Sequence, residues 1–156
     1  MPEIDRRGFM KAAGVALVAG AGAATASGAL ATMYNAGVDE GLYKTINRVK
    51  DPDKMTGTEL HHVPEIKAPG SVKAGEPFMV EVKVGKELHD TTSGHRITEI
   101  TLLAGNEPVG TVVFSSLFAR PSASFLVSID KPVTMVAQAR CNLHGVWESA
   151  ADVNPA

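Results

Sequence analysis

Cysteine and aromatic residues are scarce in this chain, which has one cysteine, one tryptophan and two tyrosines among its 156 residues. A single cysteine cannot form a disulfide bond within the chain. The sequence also lacks a basic block and an internal repeat, and its formal net charge is −2, which leaves no electrostatic basis for binding nucleic acid. A length of 156 residues suits one domain with its own core.

The start of the chain resembles a twin-arginine export signal. Arg6-Arg7 precedes an aromatic residue, an apolar residue and Lys11, and residues 12–33 then carry no charge. This apolar stretch is rich in Ala and Gly, and small-residue triplets that suit signal peptidase follow, the second ending at Ala31. A transmembrane helix is the alternative, but so many alanines and glycines make a poor membrane span.

We therefore expect three segments. Residues 1–31 form an export signal helix, residues 32–58 an N-terminal helix and linker, and residues 59–156 the folded domain. Export by the twin-arginine route would place the protein in the periplasm or outside the cytoplasm. Contact with the membrane would come only through the signal, which acts as an anchor if it stays uncleaved.

A short helix is expected after the signal, because Leu42, Ile46 and Val49 recur at helical spacing and Asp51-Pro52 would end it. The residues from 50 to 58 are polar and predict a loop.

From there the pattern changes to alternation. Phe78, Val80, Val82 and Val84 alternate with polar or exposed positions, which is typical of a half-buried strand. The other candidate strands, separated by turn residues, are 96–103, 109–114, 124–129 and 133–141. Short strands at this spacing favour an all-β fold, an immunoglobulin-like antiparallel β-sandwich.

The sequence Cys141-Asn142-Leu143-His144-Gly145-Val146-Trp147 holds the only cysteine and the only tryptophan. A thiolate and an imidazole three positions apart can reach one metal ion if the chain turns between them, and the Asn and Gly after the two residues favour a turn. The alternative is a buried structural cysteine beside an unrelated histidine.

The other histidines favour the metal. All five flank predicted strands and none lies inside one: His61, His62, His89, His95 and His144. Loops at one end of a sandwich come close in space. Four imidazoles and one thiolate are too many donors for tetrahedral structural zinc, and they leave one octahedral position open. A blue-copper site would need a weak axial Met after the last His, and no methionine follows Met135.

These motifs resemble those of the superoxide reductases, the neelaredoxin and desulfoferrodoxin group. The sequence from Cys141 to Trp147 is similar to the family signature Cys-Asn-x-His-Gly-x-Trp. His62-Val63-Pro64 resembles the first-ligand motif, and His89 and His95, preceded by Val84-Gly85-Lys86-Glu87, resemble the second and third ligands. The resemblance runs from Gly57 to Glu148 in the same order, and without a Cys-x-x-Cys pair it is to the one-iron type.

The resemblance implies an immunoglobulin-like sandwich and a mononuclear iron, cycling between Fe2+ and Fe3+. Its implied ligands are His62, His89, His95 and His144 in the equatorial plane and Cys141 on the axis. The implied reaction is the one-electron reduction of superoxide to hydrogen peroxide. It also implies an external one-electron donor, such as a rubredoxin-like protein or a cytochrome, and a homo-oligomer.

The sequence departs from the family immediately before the first ligand. Members commonly carry Glu-Lys there, the Glu closing the sixth position of ferric iron and the Lys attracting superoxide, whereas Leu60 and His61 precede His62. Glu59 is one place too far, so either the loop is longer or His61 is the ligand; Val63 following His62 favours His62. We take Glu59, His61 and Lys86 as candidate catalytic residues. Protonated His61 would take part of the missing lysine's role.

A non-catalytic sandwich is the alternative function: a metal-binding relative for sensing or electron transfer, or a sulfur carrier. A carrier would need an exposed Cys141 and has no use for four histidines around it.

Overall fold

The computed structural model describes residues 40–156. The signal helix predicted for residues 1–31 lies outside the described residues. None of the helices within 40–156 is long and apolar enough to span a bilayer.

Two short helices precede and join the strands, a 3-10 helix at Glu40–Tyr43 and α1 at Gly57–His62. The strands are β1 (Ile46–Asn47), β2 (Pro64–Lys67), β3 (Ser71–Val72), β4 (Phe78–Val84), β5 (Ile97–Ala104), β6 (Glu107–Val113), β7 (Ser122–Val127), β8 (Val133–Cys141) and β9 (Gly145–Pro155).

The strands form two sheets. The larger has the order β1-β9-β8-β5-β6, with β3 also paired to β9, and the smaller has the order β2-β4-β7. The inward side chains of both sheets meet in one core, which includes Val80 and Val82 from β4 and Ile100, Leu102 and Met135 from the larger sheet. All five are fully buried because alternate residues of a strand face opposite sides.

The predicted all-β sandwich is confirmed, and each of the five candidate strands is present to within two residues at either end. The purely antiparallel arrangement is wrong in detail. Both β1 and β3 pair with β9 in parallel, at opposite ends of that long strand.

The helix predicted from Leu42 to Val49 is wrong. The described part of that stretch is a single 3-10 turn followed by β1, in which Ile46 pairs with Val146 and Asn47 with Trp147. Pairing with β9 satisfies the backbone hydrogen bonds of this segment. A short isolated helix would first have to form its first turn, which is unfavourable.

The loop predicted for residues 50–58 ends two residues early, because α1 begins at Gly57. Thr56 caps this helix: its hydroxyl accepts a hydrogen bond from the backbone N–H of Glu59, and the Glu59 carboxylate accepts one from the backbone N–H of Thr56. This reciprocal capping box has a sequence signature, Thr-x-x-Glu, that could have located the helix.

Strand β9 was not predicted. Its middle is Ser149-Ala150-Ala151, which gives no alternation of large apolar and polar residues. It is nevertheless the longest strand in residues 40–156, because it pairs with β8 at nine register positions, from Val133↔Val153 to Cys141↔Gly145.

Candidate metal centre

The end of α1 presents the first histidine. The helix stops after His62 because Val63 precedes a proline, and Val63 takes the extended conformation (φ −63°, ψ 129°) that this position favours. His62 is therefore the last helical residue, and its side chain is 2% exposed.

Two more histidines come from the segment between β4 and β5. Gly85 opens this segment with φ +86°, and a Cβ there would collide with the backbone of Glu87 and lie 2.8 Å from the His61 carbonyl oxygen. Only glycine therefore allows the segment to pack against the end of α1. His89 is 1% exposed. The backbone N–H of His95 donates to the Thr92 hydroxyl (3.1 Å), which closes a turn at the second histidine.

The hairpin between β8 and β9 carries the remaining pair. Cys141 ends β8 and is fully buried, and His144 is exposed in the three-residue turn that follows. The turn closes at Gly145, where φ is +77°.

These residues converge. One donor atom each from His62, His95, Cys141 and His144 lies within 4.8 Å of the other three. The Nε2 atom of His89 lies 3.2 Å from His62 Nε2 and 3.9 Å from Cys141 Sγ. Three of the predicted histidines and the cysteine thus form one cluster, and the fourth histidine, His89, lies beside two of its members.

The facing nitrogen of His62 carries a lone pair. His62 Nδ1 is 2.7 Å from the Thr58 carbonyl oxygen, which can only accept, so Nδ1 holds the proton and Nε2 faces the cluster unprotonated. That Nε2 is 2.9 Å from His144 Nδ1 and 3.3 Å from His95 Nε2. It can therefore accept a proton shared by a neighbouring imidazole or bind a cation.

Burial keeps the imidazoles neutral. Burial, together with the smaller effect of the neighbouring imidazoles, lowers the pKa of His62 to about 4 and that of His89 to about 4. Burial also lowers the pKa of His95. Neutral imidazole is the form that binds metal, so the pocket is prepared for ligation rather than for holding protonated histidines.

The sulfur is buried against the core. Burial raises the pKa of the Cys141 thiol, and the backbone N–H groups of Leu143 and His144 oppose this rise. The backbone N–H of Asn142 is not among them, because it donates to the Arg96 carbonyl oxygen (3.2 Å).

The Asn142 side chain joins the hairpin to the segment that carries His95. Its Oδ1 accepts a hydrogen bond from the Arg96 N–H (2.7 Å), and its Nδ2 donates to the Gly94 carbonyl (2.9 Å). These bonds bracket His95 and fix its distance from Cys141. Side-chain hydrogen bonding of this kind leaves no spacing pattern in a sequence, so the contact could not be predicted.

Trp147 packs beside the site. Its ring centroid lies 5.4 Å from that of His62, and its indole N–H donates to the His144 carbonyl (3.1 Å). It therefore contacts an imidazole of the cluster and the backbone of the hairpin.

The donor set fits a mononuclear iron. Four imidazole side chains and one sulfur come together from one chain, and imidazole with thiolate is a combination that iron accepts. Five donors exceed the four of structural zinc. A cation would also bind the lone pair of His62 Nε2 and favour the thiolate of Cys141.

Comparison with known proteins identifies the family to which this chain belongs. The family model described as Desulfoferrodoxin matches residues 54–150, which include all five converging side chains. The chain belongs to the desulfoferrodoxin family.

Individual relatives of the desulfoferrodoxin family agree. The superoxide reductase of Pyrococcus abyssi is 37% identical over 98 residues, 56% of this chain and 83% of the relative. The neelaredoxin of Megalodesulfovibrio gigas is 31% identical over 111 residues, 59% and 85% of the two chains. Among solved structures, a superoxide reductase (neelaredoxin) from Ignicoccus hospitalis superposes with a TM-score of 0.62 at 31% identity, covering 72% of this chain and 96% of its own.

The three candidate catalytic residues lie outside this cluster. The Glu59 carboxylate accepts hydrogen bonds from the N–H groups of Lys50 (3.0 Å) and Thr56 (2.7 Å) and from the Thr56 hydroxyl (2.8 Å). These bonds lower the pKa of Glu59. To reach a metal, the carboxylate would have to leave all three donors.

His61 and Lys86 also point elsewhere. His61 Nδ1 donates to the Leu88 carbonyl (3.1 Å), and its Nε2 lies 3.5 Å from Glu87 Oε2. The structure thus brings His62, and not His61, into the cluster. Lys86 is exposed on the rim of a groove of about 320 Å³ lined by Pro52, Pro64 and Ser149 among others. Its role in attracting superoxide stays a prediction.

The capping role of Glu59 is testable. Thr56→Ala is expected to lower the free energy of unfolding by about 1 kcal/mol, because an N-cap is lost, and Glu59→Ala should lower it too. Both variants should still bind iron with an unchanged ferric absorption spectrum. Urea denaturation of the metal-free chain measures the first effect. A Glu59→Ala protein of undiminished stability with an altered ferric spectrum would instead place the carboxylate at the metal.

Metal content decides between the adjacent histidines. Removing the imidazole of His62 takes away the nitrogen around which the others converge, so His62→Ala is expected to lose most of its iron. His61→Ala, the matched control, is expected to keep about one iron per chain. Elemental analysis after iron-replete expression distinguishes them, and the reverse pattern would make His61 the first ligand.

Proposed function

We propose that this chain is a superoxide reductase with one iron, which reduces superoxide by one electron to hydrogen peroxide. The observation that carries the proposal is a cluster in which three imidazole nitrogens and one buried sulfur lie within 4.8 Å of one another, with the His89 nitrogen beside two of them. Relatives named superoxide reductase, at 30% identity or more, support the same activity.

The residues that would hold the iron are His62, His89, His95 and His144 through nitrogen and Cys141 through sulfur. Bound iron would supply the electron by passing between its ferrous and ferric states. The overall reaction consumes one superoxide, one electron and two protons and yields one hydrogen peroxide.

The protein environment contributes in two ways. The inner side of the site is closed, since His62, His89 and Cys141 are buried, so water is excluded around the sulfur and the charge on the thiolate is held by two backbone N–H groups. The outer side is open at His144, which is exposed. We infer that superoxide enters and protons arrive from this side.

Positive charge near the opening would attract the anionic substrate. Arg96 directly follows His95 in sequence, and its guanidinium is turned toward the same loop, where Nη1 donates to the Ser93 carbonyl (3.1 Å). Arg96 is the cation we expect to serve here, with Lys86 and protonated His61 as weaker contributors.

The reaction needs an external electron donor. The single cysteine leaves no ligands for a second iron–thiolate centre in this sequence, so a rubredoxin-like protein or a cytochrome would return the iron to its ferrous state. We further propose a homo-oligomer, and export to the periplasm by the twin-arginine route, supported by Arg6-Arg7 and the uncharged stretch that follows.

A sulfur carrier is disfavoured by the structure. Cargo on a cysteine must be reachable by an acceptor, and Cys141 is fully buried. Sensing or electron transfer without turnover would use the same ligands and is one outcome of the kinetic test.

Kinetics with superoxide provide the test. Rapid mixing of the ferrous full-length chain with superoxide is expected to yield one hydrogen peroxide for each superoxide consumed, whereas dismutation yields half as much. Cys141→Ser should slow the reaction by at least about tenfold because the thiolate donor is lost. Ser124→Ala, on the outer face of β7, should react at the unchanged rate. An iron-loaded chain that consumes superoxide no faster than Cys141→Ser would contradict the proposal.

A further inference from the structure

A short arm before the family-matched region contacts the hairpin that carries His144. We define the N-terminal arm as residues 40–48, which precede the match at 54–150. The arm runs beside the start of β9 through β1, in register with Val146 and Trp147. Because the N-terminal arm lies outside the residues matched by the family, family membership does not assign the arm a role.

Asn47 makes the most specific contact of this arm. Its Nδ2 donates to the carbonyl oxygens of His144 (3.2 Å) and Val146 (3.0 Å), the residues on either side of Gly145. The Trp147 indole N–H donates to the same His144 carbonyl (3.1 Å). Two donors thus fix the backbone of one metal-facing histidine.

Gly145 lets the arm approach this closely. A Cβ at this position would lie 2.5 Å from the Leu42 carbonyl oxygen and 3.5 Å from Asn47 Nδ2. Both the positive φ at position 145 and the close packing of the arm therefore require glycine there. Together they determine the conformation of the turn after His144.

Among the described residues, His144 lacks a hydrogen bond like the one that orients the ring of His62. It faces the cluster through Nδ1, the nitrogen nearer its backbone, and it is exposed. Within residues 40–156 no hydrogen bond holds its Nε2, whereas the far nitrogen of His62 is held by Thr58. The orientation of the His144 ring consequently depends on where its backbone is held.

The arm also contacts residues on both sides of the hairpin turn. The Arg140 guanidinium, which precedes Cys141, lies 4.5 Å above the ring of Tyr43. Arg48 pairs with Glu148 at 2.6 Å. Asn47 is the one arm side chain that bonds directly to the backbone of His144.

We propose that Asn47 is a positioning residue for the metal centre: it holds His144 in place by donating its amide N–H groups to the turn. The inference rests on the proposed metal site. Partners that orient a ligand commonly change metal affinity by about 10- to 100-fold when removed. We therefore expect loss of the Asn47 amide to speed the release of iron.

The experiment compares Asn47→Asp with Arg48→Gln in the full chain. Aspartate keeps the size of asparagine but has no N–H to donate, so it separates hydrogen bonding from packing. Asn47→Asp is expected to release ferrous iron to a chelator about tenfold faster than the unchanged chain and to shift the thiolate-to-ferric absorption band. Arg48→Gln removes the neighbouring arm contact and should change neither.

The outcomes separate the two proposals. Thermal melting of the metal-free variants measures a purely structural effect, and equal melting temperatures with faster iron release support positioning. An unchanged rate of iron release in Asn47→Asp would overturn the role of Asn47 alone. The same conclusion would follow if iron release accelerated in both variants in proportion to the loss of stability of their metal-free forms. An unchanged chain that binds no iron would overturn the metal site and, with it, this inference.

Discussion

The crowding of imidazole nitrogens around one unprotonated nitrogen, His62 Nε2, is the constraint on which this structure depends. Three nitrogens lie within 3.3 Å of His62 Nε2, and that atom has no proton to share, because the ring's proton is committed to Thr58. Burial also makes protonation of His62 and His89 unfavourable. A bound cation would accept the lone pair of His62 Nε2 together with the surrounding donor atoms, so this cluster of imidazoles and one buried thiol is suited to a metal.

The sandwich supplies the geometry at one of its ends. The cysteine ends β8, one pair of histidines lies between β4 and β5, and the first histidine ends α1 just before β2. The strands are fixed by a continuous apolar core that includes Cys141 itself. Hydrogen bonds from the Asn142 side chain then fix the loops to one another. The metal-facing donor atoms are therefore held rigidly relative to the core.

Most of the strands and the metal-facing residues could be predicted from the sequence, because they depend on local sequence patterns. The alternation at Val80, Val82 and Val84 follows directly from one buried sheet face, and the five metal-facing residues stand out by type. Strand β1 and the cap at Glu59 were not predicted. Ile46 has helical spacing to its neighbours but takes its structure from β9, and Glu59 bonds to Lys50 and Thr56 instead of approaching the cluster. Long-range pairing decided the first case, and competition between two sets of donors decided the second.

X-ray absorption at the iron edge tests the central claim most directly, because it counts the atoms around the metal. The full chain loaded with ferrous iron is predicted to show one sulfur and about four imidazole nitrogens in the first shell, and Cys141→Ser is predicted to lose the sulfur while retaining the nitrogens. A first shell of oxygen and nitrogen alone in the unchanged chain, or a spectrum that does not respond to Cys141→Ser, would contradict the account.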